Sequence, residues 1–280
     1  MNTFQIIFFN ELRLLQRNRL LWIILPIALL LGFYIGVIAQ VQLYNIWGIW
    51  CTMSIFITLS FIVANDQIYR DKEYRVAEII FTSPVRSWQY ICGKYAANFA
   101  VSLVISLIFT GMTLFVNQFI IMQDSNPFTS ALIKVEPNQI IYSSPGAFAY
   151  LYMWLWLYPV TLAFGIALFN FLIILLRGQR VLAMIVIVMI WVLASNGNTL
   201  PFVLDPTGAQ LGNYLQISKQ FYQIPEIKSN ISIIYPLIQQ YIFQPLPEQF
   251  YINRLLLIAG TIILIVLVII MVNRQRRQLI

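Results

Sequence analysis

Residues 66–94 read DQIYRDKEYRVAEIIFTSPVRSWQYICGK, and this charged stretch determines how the rest of the chain is interpreted. Nine of its side chains are charged, whereas long apolar runs flank it on both sides. Within it, Val76, Ile79 and Ile80 recur at i, i+3 and i+4, which predicts a short amphipathic helix. The helix is expected to end before Pro84, because the residue preceding a proline is driven out of the helical region. The stretch is therefore predicted to be a docking element between two membrane spans.

The composition places the chain among membrane proteins. Of its 280 residues, 60% are hydrophobic and 10% are charged, which is outside the range of ordinary soluble domains. A very apolar soluble core does not explain the length of the runs, because at least five segments have about 18 or more residues without a charge. The basic residues that give the chain its net charge of +7 lie beside these runs. They are therefore interpreted as a signal of membrane topology and not as a nucleic-acid-binding surface.

The fold class predicted from these runs is an all-α membrane protein with six transmembrane helices. An N-terminal amphipathic helix, residues 2–18, precedes the spans and is expected to lie in the membrane interface, with Glu11 on its polar face. A signal peptide is the alternative for this region, but the apolar run that follows is longer than a signal-peptide core. The spans are predicted at about residues 20–40, 46–65, 95–118, 149–176, 181–197 and 255–273.

The distribution of basic residues predicts the orientation. Arginine and lysine are concentrated before the first span, within the charged stretch, after the fourth span and after the last one. The positive-inside rule therefore places both termini, residues 66–94 and residues 177–180 in the cytoplasm. Residues 119–148 and the long segment 198–254 before the last span are then extracytoplasmic.

None of the predicted spans contains Asp, Glu, Lys or Arg. Placing such a residue in mid-membrane costs about 2.5–3.5 kcal/mol on insertion scales, and carriers driven by ion gradients keep these residues because they need them. If the chain transports a substrate, the energy for transport is therefore expected to come from outside the bilayer. The sequence has no histidine, no phosphate-binding loop and none of the common hydrolase motifs, so neither an enzyme nor a metal site is predicted.

Two local motifs predict packing and turn elements. Gly32 and Gly36 form a small-xxx-small pair in the first span, a candidate helix-packing interface, although such pairs are also frequent by chance. In the outer segment, residues 205–208 read Asp-Pro-Thr-Gly, which is typical of a turn.

At the residue level, the charged stretch resembles the cytoplasmic loop between the second and third spans of permease subunits in type-2 ATP-binding-cassette (ABC) exporters. Those loops carry an arginine and acidic cluster, then Gly-Thr, Glu-Leu-Leu, a Thr/Ser-Pro and finally Gly-Lys. The Gly-Thr pair is replaced here by Tyr74-Arg75, and only this loop matches residue by residue, although the pattern of helices is similar over most of the chain. The matching positions are Arg70, Glu73, Glu78-Ile79-Ile80, Thr82-Ser83-Pro84 and Gly93-Lys94.

The resemblance implies a single permease domain, residues 1–280, whose coupling helix contacts a separate ATPase subunit. Two ATPase subunits would bind ATP and Mg, this chain would bind no cofactor of its own, and a second permease copy or a related permease would complete the complex. It also implies a multi-pass protein of the bacterial cytoplasmic membrane, in contact with membrane lipids and not with nucleic acid. A non-transporting scaffold or sensor that docks a cytoplasmic partner through residues 66–94 is the alternative. The residues implied in ATPase contact are Arg70, Glu73, Val76, Glu78, Ile79, Ile80 and Pro84.

Overall fold

Helices account for nearly all of the residues that the computed structural model describes, which are 3–41, 70–71, 85–116, 147–176, 178–195, 202–207 and 248–279. This part of the chain contains no β-strand. A short 3-10 helix, Phe202–Leu204, precedes the last long helix. The α-helices described are α1 (Thr3–Gln16), α2 (Arg19–Val41), α3 (Ser87–Phe115), α4 (Ala147–Leu175), α5 (Arg180–Ser195) and α6 (Glu248–Leu279).

Four of these helices, α2, α3, α4 and α6, each contain a segment that is long and apolar enough to cross a membrane. Helix α5 contains a shorter apolar segment, Val181–Ala194. The described part is therefore all-helical, as expected of a multi-pass membrane protein. The predicted span 46–65, the predicted coupling helix and most of segment 198–254 lie outside the described residues, so the number of six spans stays a prediction.

Two helices begin well before the spans that hydropathy predicted. Helix α3 begins at Ser87 and not near residue 95, and α6 begins at Glu248 and not near residue 255. Lys94 and Arg254, which fell outside the predicted spans, therefore lie within long helices and are buried. The physical reason is that backbone hydrogen bonding continues past a charged side chain, whereas a hydropathy window stops at it.

Two hydrogen bonds establish that α3 and α4 are antiparallel. The hydroxyl of Tyr95 donates a hydrogen bond to the carbonyl oxygen of Ala163 at 2.8 Å, near the start of α3 and in the second half of α4. Further along α3, Ser106 Oγ accepts a hydrogen bond of 3.1 Å from Trp154 Nε1, near the start of α4. Hydrogen bonds therefore connect these two helices at two positions along their length.

Helix α2 packs against α3 at two glycines. A Cβ atom on Gly32 would lie 2.8 Å from the carbonyl oxygen of Phe109, and one on Gly36 would lie 2.8 Å from Cβ of Val116. The two backbones can approach this closely because neither glycine has a side chain. The glycine pair noted in the sequence therefore faces another helix of the same chain.

The helix directions bring several segments together at one end of the bundle, which we call the α1 end. It contains α1, residues 70–71, the start of α3 and the C-terminal parts of α4 and α6. At this end Arg276 of α6 donates a hydrogen bond of 2.7 Å to the carbonyl oxygen of Val85. An apolar cluster from α3, α4 and α6 lies beside it: Tyr90, Ile91, Ile174, Val268 and Val272.

At the opposite end, the predicted turn is held against α6. Asn253 donates hydrogen bonds to the carbonyl oxygens of Val203, at 2.8 Å, and Asp205, at 3.0 Å. The Asp205 carboxylate accepts hydrogen bonds from the amide and hydroxyl groups of Thr207 at 2.8 and 2.6 Å. Such a side-chain bond two residues onward is how Asp stabilises a turn.

Candidate functional site

Five side chains from three parts of the chain meet at the α1 end, and we call them the base cluster: Glu11 of α1, Arg70, Asp71, and Tyr90 and Lys94 of α3. Lys94 Nζ lies 3.1 Å from Glu11 Oε2 and 2.6 Å from Asp71 Oδ2. Arg70 forms an ion pair with the other carboxylate oxygen of Glu11. The Tyr90 hydroxyl donates a hydrogen bond of 2.6 Å to Asp71. The base cluster therefore joins α1, residues 70–71 and α3 through polar contacts.

The base cluster is buried and electrically balanced. Glu11 and Lys94 are each 4% exposed and Asp71 is 8% exposed, while the side chain of Arg70 is 25% exposed. Two carboxylates face two cations, so no charge in the cluster is left uncompensated. Because removing one member of a buried ion pair leaves its partner as an isolated charge, the arrangement strongly favours one position of residues 70–71.

Glu11 belongs to the packed face of α1. It lies four residues after Ile7 and four before Leu15, and this spacing places all three side chains on one side of a helix. Leu15 is fully buried, and Ile7 contacts α3. The expectation that Glu11 lies on an outward polar face is therefore wrong, and the spacing itself was the signal that could have revealed it.

Gly93 allows α1 to approach α3 at the level of the base cluster. A Cβ atom on Gly93 would lie 2.9 Å from Cγ2 of Ile7. A side chain at this position would push α1 away from α3 and lengthen the contact between Glu11 and Lys94. The Gly93-Lys94 pair of the sequence motif thus has a physical role here, since the glycine admits α1 and the lysine pairs with its carboxylate.

Val85, the first described residue after residues 72–84, is also held at the α1 end. The carbonyl oxygen of Val85 accepts the hydrogen bond from Arg276, and the Val85 side chain packs against the apolar cluster that contains Tyr90. Asp71, on the other side of residues 72–84, is hydrogen-bonded to the same tyrosine. The two flanks of residues 72–84 therefore lie close together, and different helices hold them.

The structure describes one of the residues predicted to contact an ATPase subunit. Arg70 pairs with Glu11 inside the chain, so its charge already has an intramolecular role. The roles of the other predicted contact residues stay predictions, because those residues lie outside the described ranges. They are Glu73, Val76, Glu78, Ile79, Ile80 and Pro84.

A second buried charge lies at the opposite end of the bundle. Arg254 of α6 is 3% exposed and donates a hydrogen bond of 2.8 Å to Thr161 Oγ1 in α4. Its guanidinium carbon lies 4.7 Å from the centre of the Phe250 ring, within the range of a cation–π contact. Arg254 thus fastens α6 to α4. Across the described ranges, no group of three or more acidic or cysteine side chains is placed to hold a metal ion.

No protein-family model matches this chain, and no curated protein matches it significantly. The base cluster and the residue pattern of the charged stretch are therefore the features of this chain that bear on its function.

Proposed function

We propose that this chain is the membrane-spanning permease subunit of an ATP-driven ABC exporter, in which residues 66–94 dock a separate ATPase subunit. The observation that carries this proposal is the base cluster, in which Lys94 holds both Glu11 and Asp71 through buried ion pairs. A loop that merely connects two spans needs no such anchor. A loop that transmits movement to the helices does need one, because coupling travels through contiguous packed and hydrogen-bonded groups.

The anchors give a movement of residues 72–84 three routes into the bundle. On the entry side, residues 70–71 pull on α1 through Glu11 and on α3 through Lys94. On the exit side, Val85 is bonded to Arg276 of α6. An ATPase subunit that displaces this stretch would therefore act on three helices together, as rigid-body switching requires.

The proposed complex contains two ATPase subunits, which bind ATP and Mg, and two permeases, either two copies of this chain or one copy and a related partner. The α1 end would face the cytoplasm of a bacterial cell. Large apolar side chains are exposed along α5 and α6, and they suit contact with lipid or with the second permease.

The proposal is tested with the double variant Ile79→Asp/Ile80→Asp. We expect an ATPase subunit to co-purify with the tagged wild-type chain from native membranes in mild detergent and to be lost from the variant. The reason is that each new carboxylate would have to be buried without a partner in an apolar contact. The matched control is Ala77→Asp, which adds the same group away from the apolar stripe and should retain the ATPase.

Two outcomes would contradict the proposal. If the double variant retains the ATPase and stimulates it normally, residues 79–80 are not the docking contact. If no ATPase co-purifies with the wild-type chain, the proposed permease has no energy source. A different soluble protein that the double variant loses would then favour a scaffold or sensor.

A further inference from the structure

Helix α3 carries a continuous polar face that the proposed function does not explain. From Lys94 to residue 110, polar side chains recur at every fourth residue, and one more follows three residues later; both spacings keep them on one side of the helix. All of these side chains are between 0% and 4% exposed, so the face is enclosed by the bundle. The members beyond Lys94 are Asn98, Ser102, Ser106, Thr110 and Thr113.

Two hydroxyl groups on this face have partners within the protein. Ser106 Oγ donates to the carbonyl oxygen of Leu103 at 2.8 Å and accepts from Trp154 Nε1. Thr113 Oγ1 donates to the carbonyl oxygen of Phe109 at 3.0 Å. Bonding back to the preceding turn is the usual way in which serine and threonine are accommodated inside a membrane helix.

Three other oxygens on the face differ from these two hydroxyl groups in their hydrogen bonding. Asn98 Oδ1, Ser102 Oγ and Thr110 Oγ1 are buried and have no hydrogen-bond partner among the residues that the structure describes. A buried polar group left in this condition costs about 1–3 kcal/mol. Most such groups in native proteins are satisfied by protein or by ordered water.

We propose that this face of α3 is a hydration site, at which bound water molecules complete the hydrogen bonds of Asn98, Ser102 and Thr110. Successive members of the face lie about 6 Å apart, since four residues rise about 1.5 Å each. Two hydrogen bonds of about 2.8 Å through one water molecule reach at most about 5.6 Å, so each of the three oxygens is expected to bind its own water molecule, and neighbouring water molecules can bond to one another. Water also suits the chemistry, because it can donate to the amide oxygen and exchange donor and acceptor roles with the hydroxyls.

The neighbouring charge argues against a metal cation as the occupant. The next member of the face is Lys94, which is positive, and the face itself carries no carboxylate. A hydrated face also allows α3 to shift against its neighbours, because water can re-form hydrogen bonds that a fixed protein partner would lose. The hydration site does not depend on the chain being a permease.

Bound water can be detected by X-ray radiolysis of the full chain, since a hydroxyl radical formed from a bound water oxidises the nearest reactive side chain. The native cysteines, Cys51 and Cys92, are first replaced by alanine. Single reporters are then introduced as Ser102→Cys and Thr110→Cys. The matched control is Ala97→Cys, which is on the same helix and 0% exposed but lies about 140° around the helix from both Ser102 and Thr110.

We expect the Ser102→Cys and Thr110→Cys reporters to be oxidised several-fold faster than the Ala97→Cys reporter. Adding Asn98→Leu should slow oxidation of the Ser102→Cys reporter, because it removes the neighbouring water-binding group, whereas adding Thr113→Val should not. Equal, slow oxidation of all three reporters would overturn the proposal. The proposal would also be overturned if the Ser102→Cys reporter is oxidised fast but Asn98→Leu and Thr113→Val change its rate of oxidation equally.

Discussion

At the scale of single residues, Lys94 shows how a charged side chain is accommodated in an apolar helix. It lies between the carboxylates of Glu11 and Asp71, and its ammonium group is 5.2 Å from the centre of the Tyr90 ring. Buried ion pairs often add little net stability, but loss of one partner is strongly destabilising. The base cluster therefore favours one arrangement of α1, residues 70–71 and α3 over any other.

Replacing Lys94 should reveal this dependence. We expect Lys94→Met to lower the free energy of unfolding by about 3–5 kcal/mol, because Glu11 and Asp71 would stay buried without their shared cation. Thermal or chemical unfolding in detergent measures the change. The control Arg13→Met removes an exposed charge from α1 and should change stability by no more than about 0.5 kcal/mol. If Lys94→Met and Arg13→Met have equal free energies of unfolding, the buried ion pairs of Lys94 do not hold the base cluster together.

The base cluster could be predicted from the sequence only in part. Arg70 and Lys94 were identified from the motif, and the spacing of Glu11 from Ile7 and Leu15 contained an overlooked signal. The pairing of Arg70 with Glu11 joins residues separated by 59 positions, and no local spacing predicts such a contact. It depends on α1 folding back onto α3, which Gly93 permits.

At the scale of helices, the sequence predicted where the apolar parts of the described helices lie, because an uncharged run is sufficient to indicate them. It did not predict that α3 extends back to Ser87 or that α6 extends back to Glu248. Those extensions are stabilised by partners from elsewhere in the chain, such as Asp71 for Tyr90 and Thr161 for Arg254. The polar face of α3 is visible in the sequence as a four-residue repeat, but which of its oxygens lack local partners depends on side-chain rotamers.

The approach of α2 to α3 gives a prediction at this scale. Gly32→Ala should lower the free energy of unfolding by about 1–3 kcal/mol, because the new methyl group would meet the backbone carbonyl of Phe109 at 2.8 Å. Gly111→Ala is the matched control, since nothing lies within 4 Å of its added Cβ. Alanine there should stabilise the helix by about 0.5–1 kcal/mol. If thermal unfolding shows that both variants are stabilised, the close packing of α2 on α3 is disproved.

At the scale of the molecule, α6 connects the two ends of the bundle. Its 32 residues span about 48 Å at 1.5 Å per residue. Near one end Arg276 holds Val85, and near the other Asn253 holds the turn at residues 202–207. The base cluster anchors one flank of residues 72–84 through side chains, and α6 anchors the other flank through a backbone carbonyl. Tyr90 contacts both flanks, but the ion pairs of Lys94 and the hydrogen bond of Arg276 involve different side chains, so each of these can be removed without the other.

Removal of the α6 anchor should loosen the start of α3. Arg276→Met eliminates the hydrogen bond to Val85, so the first turn of α3 should open more readily and its amide hydrogens should exchange several-fold faster. Hydrogen exchange followed by mass spectrometry measures this change. Arg274→Met is the control, because Arg274 is exposed and its loss should leave α3 unaffected. Exchange in residues 202–207 should stay constant in both variants, since Asn253 holds that turn locally. Faster exchange at both ends would mean that the variant loosens α6 as a whole, and equal exchange at the start of α3 in the two variants would show that Arg276 does not anchor this flank.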